Sequence, residues 1–431
     1  MIEGRLNSRA EIQAAQLEKL NALLKAIIPA NGFYTKKFQQ AGLNLPLTSL
    51  DEFCQRAPFT TKHELVEDQR THLPYGSNLT EPLEHYVRYS QTSGSSGSPM
   101  RWLDTPDSWG WMVKNWAHIF REMGVSASDR VFFAFSFGPF LGFWCAFNAA
   151  EQIGCLCIPG GAMSSAGRLQ TMIDNQASVL CCTPTYALRL AQAAREEGID
   201  LSRCNIKKII VAGEPGGSSP SVRERIECEW NGARLFDHHG MTEVGPVTFE
   251  SLDHRGVLHP LEPEYLVEVL DPETLQQVES DQTGELVLTP LGRSASPLLR
   301  YRTGDMVKAS WDNEQRFGRP ETAFPGGILG RYDDMVIVRG VNLYPSAIDE
   351  LIRRCGDVSE YRVEICEKAA LTEIKILVEP TAEFMHPETL PHRLSTELYK
   401  TYHLRVPIET AAPGSLPRFE MKAKRWIRTH E

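Results

Sequence analysis

Three features of this 431-residue chain predict an α/β protein with two unequal parts. Short apolar strands alternate with helical stretches between about residues 105 and 212, the pattern of parallel βαβ units. Beyond about residue 246 the chain changes to strands and turns, as in a small antiparallel, barrel-like unit. Past Gly330 a compact α+β pattern begins afresh. The expected architecture is a large N-terminal domain, residues 1–330, and a small mobile C-terminal domain, residues 331–431. A chain of this length exceeds what one core usually supports, which agrees with that division.

Each element follows from local pattern. Ile12, Leu17, Leu20, Leu23, Leu24 and Ile27 recur at helical spacing in a helical region spanning about residues 8 to 43, ending near Pro29. Trp109–Met123 is an amphipathic helix, Arg130–Phe135 a buried strand, and a long helix runs on through Ala150. Strands Cys155–Ile158, Val179–Cys182 and Lys208–Val211 alternate with helices Arg168–Asn175 and Tyr186–Glu197. The antiparallel part holds Tyr265–Val269 and Gly284–Leu288. The C-terminal part reads as strand Met335–Val338, helix Pro345–Arg354, strands Tyr361–Cys366 and Glu373–Val378, and helix Glu388–Thr401.

Composition narrows the function. Hydrophobic residues at 42% and charged residues at 23% are those of an ordinary globular chain. A net charge of −10 offers no basic field to offset phosphate repulsion, so nucleic acid is not expected as a partner. No apolar run reaches the roughly 18–20 residues that span a bilayer, and no membrane partner is expected. The ten cysteines include no CxxC pair, which suits a reduced, cytoplasmic protein. Met1–Arg5 lacks the basic and apolar regions of a signal peptide. Its Ile2-Glu3-Gly4-Arg5 matches a protease site used in expression tags and carries no weight for the fold.

Several loops carry chemistry-bearing residues. In Thr92-Ser93-Gly94-Ser95-Ser96-Gly97-Ser98-Pro99, hydroxyls and glycines form either a cradle for phosphate oxygens or a flexible linker. Strand Lys208–Val211 runs into Ala212-Gly213-Glu214-Pro215-Gly216-Gly217, a ligand loop at a strand's carboxyl end or a plain strand-to-helix turn. In Asp237-His238-His239-Gly240-Met241-Thr242-Glu243, a hydroxyl beside a carboxylate suits a magnesium–phosphate site, with Glu243 as the hard oxygen ligand. Asp305, after the turn in Arg300-Tyr301-Arg302-Thr303-Gly304, can accept two ribose hydroxyls or cap the turn. Lys422 follows Leu416-Pro417-Arg418 in the final loop.

Taken in order, these segments resemble the adenylate-forming superfamily of acyl- and aryl-CoA synthetases, and within it the phenylacetate–CoA ligase family. Cys182–Tyr186, Arg300–Asp305, Gly330–Met335, Arg339–Pro345 and Leu416–Arg418 carry the similarity, which covers roughly residues 10 to 428. The resemblance implies ATP and coenzyme A as substrates with magnesium. It also implies an acyl-adenylate made with release of pyrophosphate, then an acyl–CoA thioester. Thr92, Ser93, Gly94, Ser95, Ser96 and Gly97 would hold the ATP phosphates. Gly213, Glu214 and Pro215 would border the adenine, with Asp237, His238 and His239 on its other side. Thr242 would meet the α-phosphate, Glu243 would bind magnesium, and Asp305 and Arg331 would hold the ribose. Asp333 would be the hinge, Lys422 the adenylation lysine, and Arg339 and Gly340 part of the coenzyme A loop.

The chain departs from its family at three places. Ser98 stands where the phosphate loop usually carries lysine, a loss on the order of 10²–10³ in rate if that contact acts in the transition state. Arg101 is the nearest replacement cation in sequence. His239 replaces the usual tyrosine, and Glu250 and Ser251 replace the usual cysteine, so no structural zinc is expected there. Phe135, Phe137, Phe140, Gly240 and Met241 would line an acyl pocket, and its aromatic character favours an aryl monocarboxylate, since no basic residue adjoins it. A second reading keeps adenylation but passes the acyl group to an amine or a carrier-protein thiol. A third is a degenerate homologue that only binds nucleotide or aryl acid. A homodimer is compatible with each.

Overall fold

The computed structural model describes residues 8–43, 45–92, 99–311, 313–339, 341–368, 371–381, 384–419 and 423–429. Five parallel strands form the centre of the molecule, in the spatial order Leu156–Pro159, Arg130–Phe133, Val179–Cys182, Lys208–Val211 and Arg234–Asp237. Their side chains alternate between two cores. Val131, Phe133, Cys181, Ile210 and Phe236 enter one, and Phe132, Leu180, Cys182, Ile209, Val211 and Leu235 enter the other. Apart from the edge strand Leu156–Pro159, which is partly exposed, burial on both faces explains the apolar runs of these strands. Cys181 and Cys182 are core residues, and all ten cysteines are free.

Helices return the chain between strands, and their starts follow one rule. Thr105, Thr183 and Ser219 each cap a helix through the side-chain oxygen, and a proline follows each at the first helical turn. The hydroxyl satisfies an orphan N–H, and proline supplies a helical φ where no N–H is needed. The expected N-terminal helix is two, Arg9–Ile27 and Gly32–Ala41, separated around Pro29. The long helix expected to reach Ala150 begins only at Gly142, so Ser136–Leu141 is left as a loop at the sheet's carboxyl edge. Helix Pro220–Glu229 and strand Arg234–Asp237, which the sequence reading did not name, complete the βαβ series.

The antiparallel part consists of a four-stranded sheet, Tyr265–Leu270, Thr283–Pro290, Tyr301–Lys308 and Ile328–Arg331, and a three-stranded sheet of Thr248–Glu250, Val257–Pro260 and Phe324–Pro325. Arg331 still pairs with Asp305 in the first of these. The sheet therefore runs one residue past the expected boundary at Gly330. From Val336 onward residues pack into a separate core around Leu343, Ile348, Leu351, Val363, Ile376 and Leu394. Its long hairpin, Val358–Lys368 with Leu371–Pro380, is flanked in parallel by Trp426–Arg428 and Ile408–Thr410.

One buried ion pair joins these parts. Strands Arg88–Gln91 and Arg101–Asp104 pair antiparallel as a hairpin, with Thr92–Pro99 between them in the chain. Asp104, at its end, receives two hydrogen bonds of 2.7 Å from Arg293, and both side chains are fully buried. Removing one partner of such a pair strands a buried charge and costs about 3–5 kcal/mol. Asp104→Ala should therefore lower the urea midpoint sharply. Asp104→Ala with Arg293→Met should lose less than Asp104→Ala alone. Equal losses in the single and double variants would mean that the pair does not hold the fold.

Candidate active site

Two of the loops singled out in the sequence, Gly213–Gly217 and His238–Glu243, follow the carboxyl ends of parallel strands Lys208–Val211 and Arg234–Asp237, where open α/β sheets bind ligands. The remaining Arg293 nitrogen, Nη1, donates to the carbonyls of Thr242 and Glu243 at 2.8 Å each. The guanidinium thus fixes the Thr242–Glu243 backbone against the hairpin that carries the Thr92–Pro99 segment. At the base of that loop, Thr92 and Met100 close on each other through the Thr92 N–H to Met100 carbonyl bond at 2.9 Å and the Met100 N–H to Thr92 Oγ1 bond at 3.0 Å. Ser93, Gly94, Ser95, Ser96, Gly97, Gly340 and Lys422 lie outside the described residues.

Glu243 is buried, and desolvation raises its pKa above the ordinary carboxylate value. Among the described residues no ion pair neutralises it; Lys62 opposes the shift from a distance, and Asp305 adds to it. A buried carboxylate left with negative charge to share is a suitable donor for a hard divalent cation, so the residues present fit magnesium. No group of three or more potential ligand side chains assembles among the described residues. His254 and His259 stand 3.1 Å apart, nitrogen to nitrogen.

Asp237 ends its strand almost completely buried. It accepts from the Ser218 hydroxyl at 2.6 Å and from the His238 N–H at 2.9 Å, while burial pushes its pKa up to about 6. Gly217 is required by this approach, because a Cβ there would sit 2.3 Å from Asp237 Oδ1. The neighbouring His238 ring lies against Trp116, 4.1 Å between centroids, with Nδ1 2.6 Å from the Thr248 carbonyl. Burial lowers its pKa to about 3, so the ring is neutral, and Nδ1–H donates to that carbonyl. Trp116 reaches Phe143, and Phe143 reaches Phe135, which places His238 on the aromatic side of the site.

A relay of charge runs from the large sheet to the C-terminal part. His239 Nε2 lies 3.4 Å from Asp305, Asp305 accepts from Arg331 at 3.2 Å, and Arg331 clasps Asp333 at 2.9 and 3.1 Å. Gly304 permits the arrangement: its φ is +77°, and a Cβ would meet Arg331 Nη2 at 2.9 Å. Asp333 is exposed. Arg339 is held by Glu373 through two bonds of 2.7 Å. Gly213 and Pro215 are exposed on their loop, whereas Glu214 accepts from the Thr185 N–H at 2.8 Å and the Ala423 N–H at 3.1 Å.

The Ser136–Leu141 loop brings Phe135, Phe137 and Phe140 to the same edge, all half-buried, while Phe143 behind them is buried. Phe135 stacks on Phe137 at 4.4 Å, and Phe137 meets Trp144 edge-on at 4.6 Å. Gly240 and Met241 form a two-residue strand paired to Gly245 and Pro246, and a Cβ on Gly240 would strike the Gly245 carbonyl at 2.8 Å.

Four contributors escaped the sequence reading as members of the site. Arg293 and Asp104 carry no motif, and only their burial reveals them. Glu250, read as the replacement of a cysteine, accepts from Arg223 at 2.6 Å and from the Asp237 N–H at 2.9 Å, so a buried ion pair props the loop. Lys62, the first residue of helix Lys62–Thr71, acts on Glu243 through space. Arg101 is spoken for elsewhere: its guanidinium donates to the Pro74 carbonyl at 2.6 Å.

Comparison with known proteins agrees with this geometry. The family description "AMP-binding enzyme" matches residues 58–290, and "AMP-binding enzyme C-terminal domain" matches residues 340–429. The phenylacetate–coenzyme A ligase of Pseudomonas putida is 31% identical over 95% of this chain and 92% of its own length. That of Thermus thermophilus is 27% identical over 96% and 95%. Among solved structures, 2-hydroxyisobutyryl–CoA ligase in its postadenylation state superposes with a TM-score of 0.89 at 29% identity, covering 98% of this chain and 90% of that one. The same ligase in its thioesterification state gives 0.73 at 31% identity, over the same shares of the two chains. A fold of parallel βαβ units, a site of convergent loops at its strand ends and relatives matched over almost their whole length lead to one conclusion: the chain belongs to the AMP-binding enzyme family.

Proposed function

We propose that this chain activates a flat, apolar monocarboxylic acid with ATP, releasing pyrophosphate, and passes the acyl group to coenzyme A. One observation carries the reading. A buried, unneutralised Glu243 stands beside Thr242 at the strand ends, with its backbone fixed by Arg293. Attack of a carboxylate on a polyanionic phosphate needs local positive charge and fixed alignment. When bound through Glu243, magnesium would supply charge neutralisation at the phosphates. The chain's own groups do the rest of the positioning. Thr242 meets the α-phosphate, Asp305 and Arg331 hold the ribose, and the Gly213–Pro215 and Asp237–His239 loops border the adenine. The half-buried Phe135, Phe137 and Phe140 receive the acyl group, which supports an aryl acid over a charged or bulky one. No helix among the described residues is long and apolar enough to cross a membrane, and a cytoplasmic site of action is part of this reading.

The small domain, from about residue 331, carries Lys422 and turns about Asp333, so that the lysine serves only the first half-reaction. Lys422→Ala should abolish pyrophosphate release while sparing thioester formation from supplied acyl-adenylate and coenzyme A. Equal loss of both would refute the role, and full activity would point to Lys424.

Glu243 makes a second prediction. Because burial raises its pKa in the folded protein, the native state holds the proton more tightly than the unfolded chain does. Stability from this group is full at low pH and is lost as pH rises through the folded pKa. Glu243→Gln in magnesium-free buffer should match or exceed the wild-type Tm at pH 8, with the difference closing toward pH 4. Adenylate formation should fall by at least about 10²-fold. A variant that loses both Tm and activity would make Glu243 structural.

A further inference from the structure

The segment from Gly213 to Ser221, a loop and the first turn of helix Pro220–Glu229, makes contacts that adenine binding does not require. From the large domain, Glu214 accepts the Ala423 N–H at 3.1 Å, the residue directly after Lys422 in the chain. From the small domain, Glu350 on helix Pro345–Arg354 reaches back to the same segment and accepts from the Ser221 hydroxyl at 2.8 Å and from the Ser219 hydroxyl. Arg225, one turn further along helix Pro220–Glu229, donates to the Val358 carbonyl at 3.0 Å. The bonds cross between two separate hydrophobic cores.

We propose that the Gly213–Ser221 segment is a catch that holds the small domain in its acid-activating orientation, with Glu214 and Glu350 as positioning residues that close it from opposite sides. The proposal rests on the two-stage ligase reading above. Hydrogen bonds to a carboxylate are directional and strong, so a set that spans two bodies fixes their orientation while it lasts and breaks together when one body turns. The structure superposes better on a relative's postadenylation state than on that relative's thioesterification state, and these contacts belong to the former arrangement. Glu214 is also anchored to the large domain by the Thr185 N–H at 2.8 Å. It therefore offers the Ala423 backbone a fixed point. Ser219 serves as helix cap as well as catch, whereas Ser221 is free to be changed without cost to the helix start.

The test uses the full-length enzyme in two single-turnover assays: pyrophosphate formation from ATP and an aryl acid, and thioester formation from supplied acyl-adenylate with coenzyme A. Glu350→Ala should slow the first at least tenfold through kcat, with the ATP KM unchanged, and leave the second within twofold. Glu350→Gln, which keeps one acceptor oxygen, should fall between Glu350→Ala and wild type. Ser221→Ala should shift the first assay in the same direction by less. Glu214→Gln should also lower kcat in the first assay, and its combination with Glu350→Ala should lose less than the product of the single losses, since a lifted domain has no second bond left to lose. Equal loss in both assays, an effect confined to the ATP KM, or no effect would overturn the catch. Wild-type inactivity in both assays would instead bring down the ligase reading, and the catch with it.

Discussion

The arrangement of the site depends on one buried guanidinium. Arg293 makes four hydrogen bonds inside the protein, two to Asp104 and one each to the carbonyls of Thr242 and Glu243. It lies over the Trp102 ring as well. Arg293 and its partners come from three distant stretches of chain, so the charge pair sets the position of the Arg88–Asp104 hairpin relative to the loop that carries Glu243. A solvent-exposed pair would be worth little and would tolerate slack. A fully buried one is costly to misplace, and that cost enforces geometry.

Around that anchor the protein keeps acids where ordinary folding stability would not. Asp237, Glu243 and Asp305 are all buried at one edge of the sheet. Their burdens are handled differently. Asp305 is shared between His239 and Arg331, and Asp237 is satisfied by Ser218 and a backbone N–H. Glu243 is left with its charge uncompensated by any ion pair among the described residues. The three environments differ for one kind of side chain: an acid between two basic groups, a loop brace and an uncompensated carboxylate, which is what the proposed ribose and cation roles require. Glu250 with Arg223 adds a buried pair beneath Asp237, which turns a position expected to be empty of chemistry into support for the nucleotide side.

Much of this was legible in the sequence. The parallel strands Val179–Cys182 and Lys208–Val211 have the same bounds in the structure as in the pattern, because residues buried on both faces leave no ambiguity of period. Helix Pro345–Arg354 also matches, with proline marking its start. The long helix before Ala150 was drawn too far toward its N-terminus because Ser136–Leu141 is apolar enough to pass for helix, and only packing shows it as the aromatic loop. Arg293, Asp104 and Glu250 stayed invisible for a different reason. A buried ion pair is a property of two distant positions, and neither residue alone differs from a surface charge. Glu214 was read as a nucleotide contact, and its reach to Ala423 depends on the relative placement of two domains, which no local pattern encodes.

The central claim is that this site makes an acyl-adenylate before coenzyme A is engaged. Its most direct measurement is a rapid-quench experiment on the wild-type enzyme with ATP, magnesium and a series of aryl and short aliphatic acids, first without coenzyme A. The account predicts a burst of pyrophosphate of about one equivalent per chain, strongest with a flat aryl acid, that discharges to thioester when coenzyme A is added. Absence of an acid-dependent burst with every acid, or a burst whose acyl group coenzyme A cannot collect, would contradict it.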